Sequence, residues 1–414
     1  MPLLENYAPR WVEVDLDAIV NNLNEIRRLV GIKTRLMAVV KADAYGHGAV
    51  TVSRLLQSEG VEWLAVTALD EGIELRRKGI EIPILVFAPL MANQAGLAIN
   101  YRLTPSVHSD AAAQTIARAA KYRNQRVKVH LKVETGMGRI GLSPNEAAIL
   151  GLNMAQDPNL ELEGIYTHLS SAASNRESDR RFTEGQFRRL MEVEDFLSRR
   201  DARPPLMHIC NSAAALNRPD MHLDLVRVGT LLYGQYPYPE APQRLNLKDP
   251  WKLKARVVQV QDFPAGTSIG YGRTKVAGRR TRVAVLPLGY VDGFSVEPVP
   301  RPRGFMDLMR YMAKMLLAWL GMSVGEAAAV EIEGGRAPVL GKVAMQFTMV
   351  DVTSIPKVEV GSLAVLSARR TTINRWLPKL YLQAGQPWLV STLEGEEPMF
   401  GLRTADTSSS KEGV

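Results

Sequence analysis

The sequence has one cysteine, six scattered histidines, no long apolar run and no concentrated basic tract, and each shortage removes a class of protein. A single Cys210 excludes an intramolecular disulfide and agrees with a reducing compartment. Its neighbours Leu206-Met-His-Ile mark it as a small buried hydrophobe rather than a nucleophile. The histidines form no pair at metal-ligand spacing, so no metal is expected. The start, Met-Pro-Leu-Leu-Glu-Asn-Tyr, lacks the basic and apolar regions of a secretory signal, and no apolar span suits a membrane helix, so the expected location is the cytoplasm. The formal net charge is +8, but its basic residues are spread out, without an aromatic-interleaved RNA motif or zinc-finger spacing. Nucleic acid is therefore not an expected partner, and the charge serves solubility and attraction for anionic metabolites.

What is present is an ordinary globular composition, 46% hydrophobic and 23% charged over 414 residues, enough for a large core and two domains. Short Val/Ile/Leu runs at 36–40, 63–67, 84–87, 104–108, 127–135, 162–169, 207–211 and 225–231 alternate with amphipathic stretches. Eight such βα units suit a (β/α)₈ TIM-type barrel better than an open sheet. After about residue 240 the runs are β-rich and divided by Gly and Pro, which predicts a mostly β C-terminal domain. The expected division is a barrel over 11–240 and a β domain over 241–400, with residues 1–10 associated with the latter and a disordered tail at 404–414. A Met-rich segment at 301–326, with Met306, Met309, Met312 and Met315 at three-residue spacing among Arg303, Arg310 and Lys314, predicts an amphipathic helical insertion. Its apolar side suits the protein's own surface, a partner groove or a membrane surface.

Lys41 ends the first buried run, Leu36-Met-Ala-Val-Val-Lys41, and the turn after it, Ala-Asp-Ala-Tyr45-Gly46-His47-Gly48, reads as small and flexible. Burial favours the neutral amine, the form that attacks a carbonyl, so a Schiff base with pyridoxal 5'-phosphate (PLP) is the sharp reading. A lysine that only snorkels out at a strand end is the plain one.

In a barrel the C-terminal strand ends carry the chemistry. Lys41, the stretch Glu134-Thr-Gly-Met-Gly-Arg139, His168, Asn211-Ser212 and Arg227-Val-Gly229-Thr230 all fall there. Singly each has a bland role: an ion-pair arginine, a satisfied core His168 or His208, Ser212 as a helix N-cap. Together, Ser212 and the Gly229 and Thr230 amides suit a phosphate. His168 could stack on a pyridine ring, and Arg227, with donors only, would keep the ring nitrogen unprotonated and favour proton exchange over transamination.

The segments Ala38-Val-Val-Lys-Ala-Asp-Ala-Tyr-Gly-His-Gly48, Glu134-Thr-Gly-Met-Gly-Arg-Ile-Gly141, Asn211-Ser-Ala-Ala and Val226-Arg-Val-Gly229 closely resemble the PLP-dependent alanine racemases. So do Ser268-Ile-Gly-Tyr-Gly272, Leu286-Pro-Leu-Gly-Tyr-Val-Asp-Gly293 and Val339-Leu-Gly-Lys-Val-Ala-Met345. The resemblance implies a homodimer with shared active sites that interconverts L- and D-alanine by two bases, supplying D-alanine for peptidoglycan. Lys41 would carry the cofactor and act on one face, and Tyr271 of the partner subunit on the other. It assigns Tyr45, Ser212, Gly229 and Thr230 to the phosphate, Arg227 to the ring nitrogen and His168 to ring stacking. Arg139 and Met345 would meet the substrate carboxylate, Lys132 would be the carbamylated lysine and Tyr290 a tyrosine of the access corridor.

Gln346-Phe347 replaces the family's Asp-Gln, and the late Asn-Tyr-Glu is missing where Thr372-Ile-Asn374 runs into Arg375-Trp-Leu. These departures leave open a wider range that includes serine or lysine, or a PLP-binding sensor with degenerate catalysis.

Overall fold

The computed structural model describes residues 9–296, 302, 304–319, 329–393 and 395–399; the tail at 404–414 lies outside them. The chain forms two compact units, Leu16–Pro250 and Met1–Asp15 with Trp251–Val414.

The first unit is a near-closed parallel barrel. After β1 (Arg10–Asp15), which belongs to the other unit, come β2 (Arg35–Val39), β3 (Trp63–Val66), β4 (Ile84–Val86), β5 (Thr104–Val107), β6 (Val127–Lys132), β7 (Leu160–Tyr166), β8 (Leu206–His208) and β9 (Leu225–Val228). Each pairs with the next up to β8, and β9 pairs with β2, so the row of eight curls round on itself. Two backbone bonds bridge the seam between β8 and β9: Asp224 N to Met207 O at 3.2 Å and Arg227 N to Cys210 O at 3.0 Å. The strands are almost wholly buried because helices cover the outside while the barrel's own core fills the inside. Met37, Val39, Trp63, Ala65, Leu85, Leu206 and Leu225 form that inner core, and Tyr45 and Phe87 pack against it.

The helices start where the sequence places caps. Ser109 accepts from Ala112 N before the helix Asp110–Tyr122, and Ser143 with Glu146 makes a capping box before Pro144–Gln156. In Glu177–Ser198 the buried face runs through Thr183, Gln186, Leu190, Val193 and Leu197, at helical spacing.

The second unit is mostly β. Its eight-stranded sheet has Trp251–Arg256 antiparallel to β1 on one side and Lys379–Gln383 parallel to it on the other. A three-stranded sheet joins Gln259–Phe263, Thr281–Leu286 and Thr348–Asp351. The division thus falls at residues 15/16 and 250/251, whereas the sequence pattern places it at 10/11 and 240/241. The physical reason lies in β1, whose Trp11, Val12 and Val14 are buried in a sheet that pairs both its edges. The Met-rich insertion contains the helix Phe305–Trp319, with Phe305, Met306, Met309, Met312, Met315 and Leu316 exposed. Among the described residues no helix is long and apolar enough to cross a membrane.

Candidate active site

Lys41 stands just beyond β2, and the chain after it winds with the opposite hand from an ordinary helix. Ala42, Asp43, Ala44 and Tyr45 have φ of 52, 55, 51 and 56° and make one left-handed turn without a glycine. Such a conformation costs roughly 1–2 kcal/mol per residue, so neighbours must impose it. Glu71 supplies part of the restraint: Oε1 accepts from Ala42 N at 2.6 Å while Oε2 accepts from Thr67 N and Ala68 N at 2.8 and 2.9 Å. Asp43 Oδ1 accepts from Ala49 N at 2.8 Å. Tyr233, hydrogen-bonded to Val39 O at 3.0 Å, packs its ring 5.0 Å from Tyr45 and 4.5 Å from His47. The turn that reads from sequence as small and flexible is therefore a braced one.

Beside it opens a cavity of about 470 Å³ lined by Lys41, Tyr45, Lys132, Arg139, His168, Ser212, Arg227, Gly229 and Thr230. All the barrel candidates are brought together there, and no Asp or Glu is among the lining residues. Burial, and then the Arg139 charge, pulls the Lys41 amine below the ordinary lysine range, against an opposing pull from Glu71. Burial with Arg227 nearby brings Lys132 down to about 7, and burial with the same arginine brings His168 to about 3. At neutral pH His168 is consequently an uncharged ring.

Arg227 is buried and tied from several sides. Its Nη2 donates to Thr167 O at 2.8 Å and Ile209 O at 3.0 Å, and lies 3.4 Å from His168 Nδ1. Nη1 is 2.8 Å from His208 Nδ1. Because arginine only donates, that nitrogen must accept, so His208 carries its proton on Nε2 and donates it to His130 Nδ1 at 2.9 Å. His130 then carries its own proton on Nε2, which faces Glu163 Oε2 at 3.6 Å. Lys128 bonds the same carboxylate at 2.7 Å. One arginine thus sets the tautomers of two buried histidines. Tyr166 stacks on His208 with 4.8 Å between ring centroids and 2° between planes.

Loop 134–141 is shaped by Glu134, whose carboxylate accepts from Gly136 N, Met137 N and Arg139 N. Gly141 lies so close to Glu134 N and Lys132 O that a Cβ would come within 2.8 and 2.9 Å of them. Asn211, not Ser212, caps the helix Ser212–Asn217, accepting from Ala213 N and Ala214 N at 3.1 Å each. The Ser212 hydroxyl, free of capping, reaches across to the residue just past β9, where its Oγ accepts from Gly229 N at 3.1 Å. The Gly229 amide is therefore engaged with that hydroxyl. A Cβ at Gly229 would lie 2.6 Å from the Tyr45 hydroxyl oxygen, so this approach requires glycine.

The remaining candidates lie in the β unit. Tyr271 is 73% exposed, flanked by Gly270 and Gly272 at positive φ, and borders a separate cavity of about 550 Å³ with Phe347 and Ala344. Tyr290 and Met345 are also exposed, and the two stretches are stitched by Tyr290 N to Ala344 O and Val291 N to Met345 O, both 3.1 Å. Asp292, buried and paired with Arg10 at 3.1 Å, accepts from Gly289 N at 3.0 Å and anchors the turn.

Reasoning from sequence misses Glu71, Tyr166 and Glu163, and leaves His208 as a core histidine. A signal for His130 exists: it precedes Lys132 by two residues in β6, and alternation puts both on one side.

A near-closed eight-stranded barrel with a lysine at its mouth, a cationic cavity and a mostly β domain in the same chain define a two-domain lysine-bearing barrel protein. The chain belongs to the alanine racemase family. The alanine racemase N-terminal domain matches residues 14–237 and the C-terminal domain residues 251–380. The alanine racemase of Desulforamulus reducens is 41% identical over 354 residues, 85% of this chain and 88% of that protein. Among solved structures, the alanine racemase of Clostridium difficile 630 superposes with a TM-score of 0.82 at 29% identity, covering 93% of this chain and 98% of that one. That of Bacillus anthracis with bound L-Ala-P gives 0.78 at 27% identity over 93% and 97%.

Proposed function

We propose that this protein is a PLP-dependent racemase that interconverts L- and D-alanine with two bases, Lys41 and Tyr271 of the partner subunit. The observation that carries the reading is a half-buried lysine, its amine biased toward the neutral form, in a cavity whose other ionisable lining groups are cationic or neutral. Such a cavity fits an anionic, planar aldehyde. Tyr45, Ser212 and the Thr230 backbone would hold its phosphate, joined by the Gly229 amide on exchanging Ser212 Oγ for a phosphate oxygen, and the close Tyr45–Gly229 approach is one that only a glycine permits. Arg227 would donate to the ring nitrogen, held in place by Thr167 O, Ile209 O and His208. His168, neutral, would cover the ring face.

PLP supplies, when bound, an electron sink that acidifies the α-hydrogen of an attached amino acid. Lys41 removes or returns that proton on one face. Tyr271 does so on the opposite face, which is what inversion demands. Its exposure, like that of Met345 and Tyr290, suits residues that complete the site of a second subunit. Arg139 would bind the substrate carboxylate. Lys132, with a pKa of about 7, is available as a free base for carbamylation, which would place an anion beside Arg139. The product role is D-alanine for peptidoglycan, made in the cytoplasm.

The test is to incubate the PLP-loaded protein with L-alanine, L-serine and L-lysine in D₂O and follow chirality and α-deuteration. Inversion with deuterium uptake from L-alanine is expected. Exchange confined to serine or lysine would move the substrate, and bound PLP with no exchange from any would leave a cofactor sensor.

A further inference from the structure

We propose that Gln186, on the outer helix Glu177–Ser198, is a positioning residue for the cofactor pocket: its amide locks the segments that leave β6 and β7 against each other. The proposal rests on the racemase reading for what those segments hold.

Gln186 is completely buried, in a stripe whose next members are Leu190, Val193 and Leu197. Thr183, the other polar member, bonds back to its own helix at Asp179 O, 2.8 Å away. A leucine at 186 would fill the stripe without the desolvation of an amide. The amide is instead saturated by tertiary partners. Nε2 donates to Thr135 Oγ1 at 3.3 Å and His168 O at 3.2 Å, and Oε1 accepts from Ser170 N at 3.0 Å and Ser170 Oγ at 3.2 Å. Two donors and two acceptor sites are all used, none of them within the helix.

These partners lie one step from the pocket. Thr135 opens the loop that carries Arg139, and its hydroxyl is 2.7 Å from that of Thr167, both residues being buried. Thr167 O in turn accepts from Arg227 Nη2. His168 is held through its own carbonyl. The helix grips the same loop twice more: Arg189 Nε donates to Thr135 O at 2.8 Å, and the Phe182 ring sits where a Cβ on Gly136 would be only 2.7 Å away. A single side chain outside the cavity thus braces the ring-stacking histidine, the carbonyl that holds Arg227 and the root of the Arg139 loop.

The experiment compares Gln186→Leu, which removes all four bonds, with Gln186→Glu, which keeps the acceptor toward Ser170 and loses both donors. PLP dissociation constant, bound-cofactor absorbance, KM and kcat for alanine, and Tm are measured on each. Both variants are expected to raise the PLP dissociation constant and KM by roughly tenfold, the loss of one to two hydrogen bonds, with an altered absorbance band. If either fails to fold, Thr135→Val takes its place. It should weaken PLP in the same direction, and Thr135→Ser, which restores the hydroxyl, should recover most of the loss. Lowered Tm with wild-type PLP affinity, absorbance and KM would overturn the proposal, as would a Thr135→Val indistinguishable from wild type. PLP affinity is read without turnover, so a wild type that binds PLP but exchanges no alanine would sink the racemase reading and leave this one standing.

Discussion

The two units present their candidate residues in opposite ways. In the barrel the candidates are drawn into one cavity and braced by polar groups: Arg227 by two carbonyls and a buried histidine, the Lys41 turn by the half-buried Glu71. In the β unit Tyr271 and Tyr290 stand exposed on short glycine-flanked turns, and Met345 is exposed on a stretch that backbone bonds stitch to the Tyr290 turn. A pocket that must bind a cofactor needs fixed electrostatics, whereas a residue that closes another subunit's site needs an open face. On the proposed racemase reading, the asymmetry matches a division of labour between holding and completing.

Substitutions can break that contrast in graded fashion. Lys41→Ala should have the largest effect, reducing α-deuterium exchange from alanine by roughly 10⁴-fold or more, measured by mass spectrometry. Tyr271→Phe should be next and should act on only one face: inversion falls by roughly 10² to 10⁴-fold, while α-deuteration with retained chirality persists. Full activity in both directions would remove the two-base assignment. A third test concerns stability. His168 has its folded pKa lowered to about 3 from 6.5, so the unfolded chain takes up a proton that the folded one refuses as pH falls below 6.5. Stability should therefore drop between pH 6.5 and 3, by about 2 kcal/mol at pH 5 from this group alone. Denaturant melts of wild type and His168→Asn check it, the variant showing the flatter dependence; burial of His130 and His208 acts in the same direction. Smallest of all should be excision of residues 301–326 with a short Gly-Ser join, which is expected to leave PLP affinity of the barrel unit unchanged within about twofold.

Much of the barrel was legible because its strands are short, buried runs whose ends are marked by a charged or small residue, as at Lys41 and Asn211-Ser212. The line between the units was less so. Strand β1 is an ordinary alternating strand, and nothing local says that its partners, Trp251–Arg256 and Lys379–Gln383, come from the far end of the chain. Within the site, Asn211 rather than Ser212 is the cap because its side-chain Oδ1 reaches the amides two and three residues on. Glu163 and Glu71 carry no local signal because their roles depend on tertiary partners. Gln186 did leave a trace, a lone amide in an apolar helical stripe.

The left-handed turn at 42–45 carries one more consequence. Of Ala-Asp-Ala-Tyr only Asp43 takes that hand with any ease, so the turn leans on Glu71, Asp43's amide contact and the packing of Tyr233. Without the folded surroundings Lys41 would lose the desolvation that lowers its amine and would be protonated like any exposed lysine. The lowered amine is thus a property of the folded surroundings and not of the local sequence.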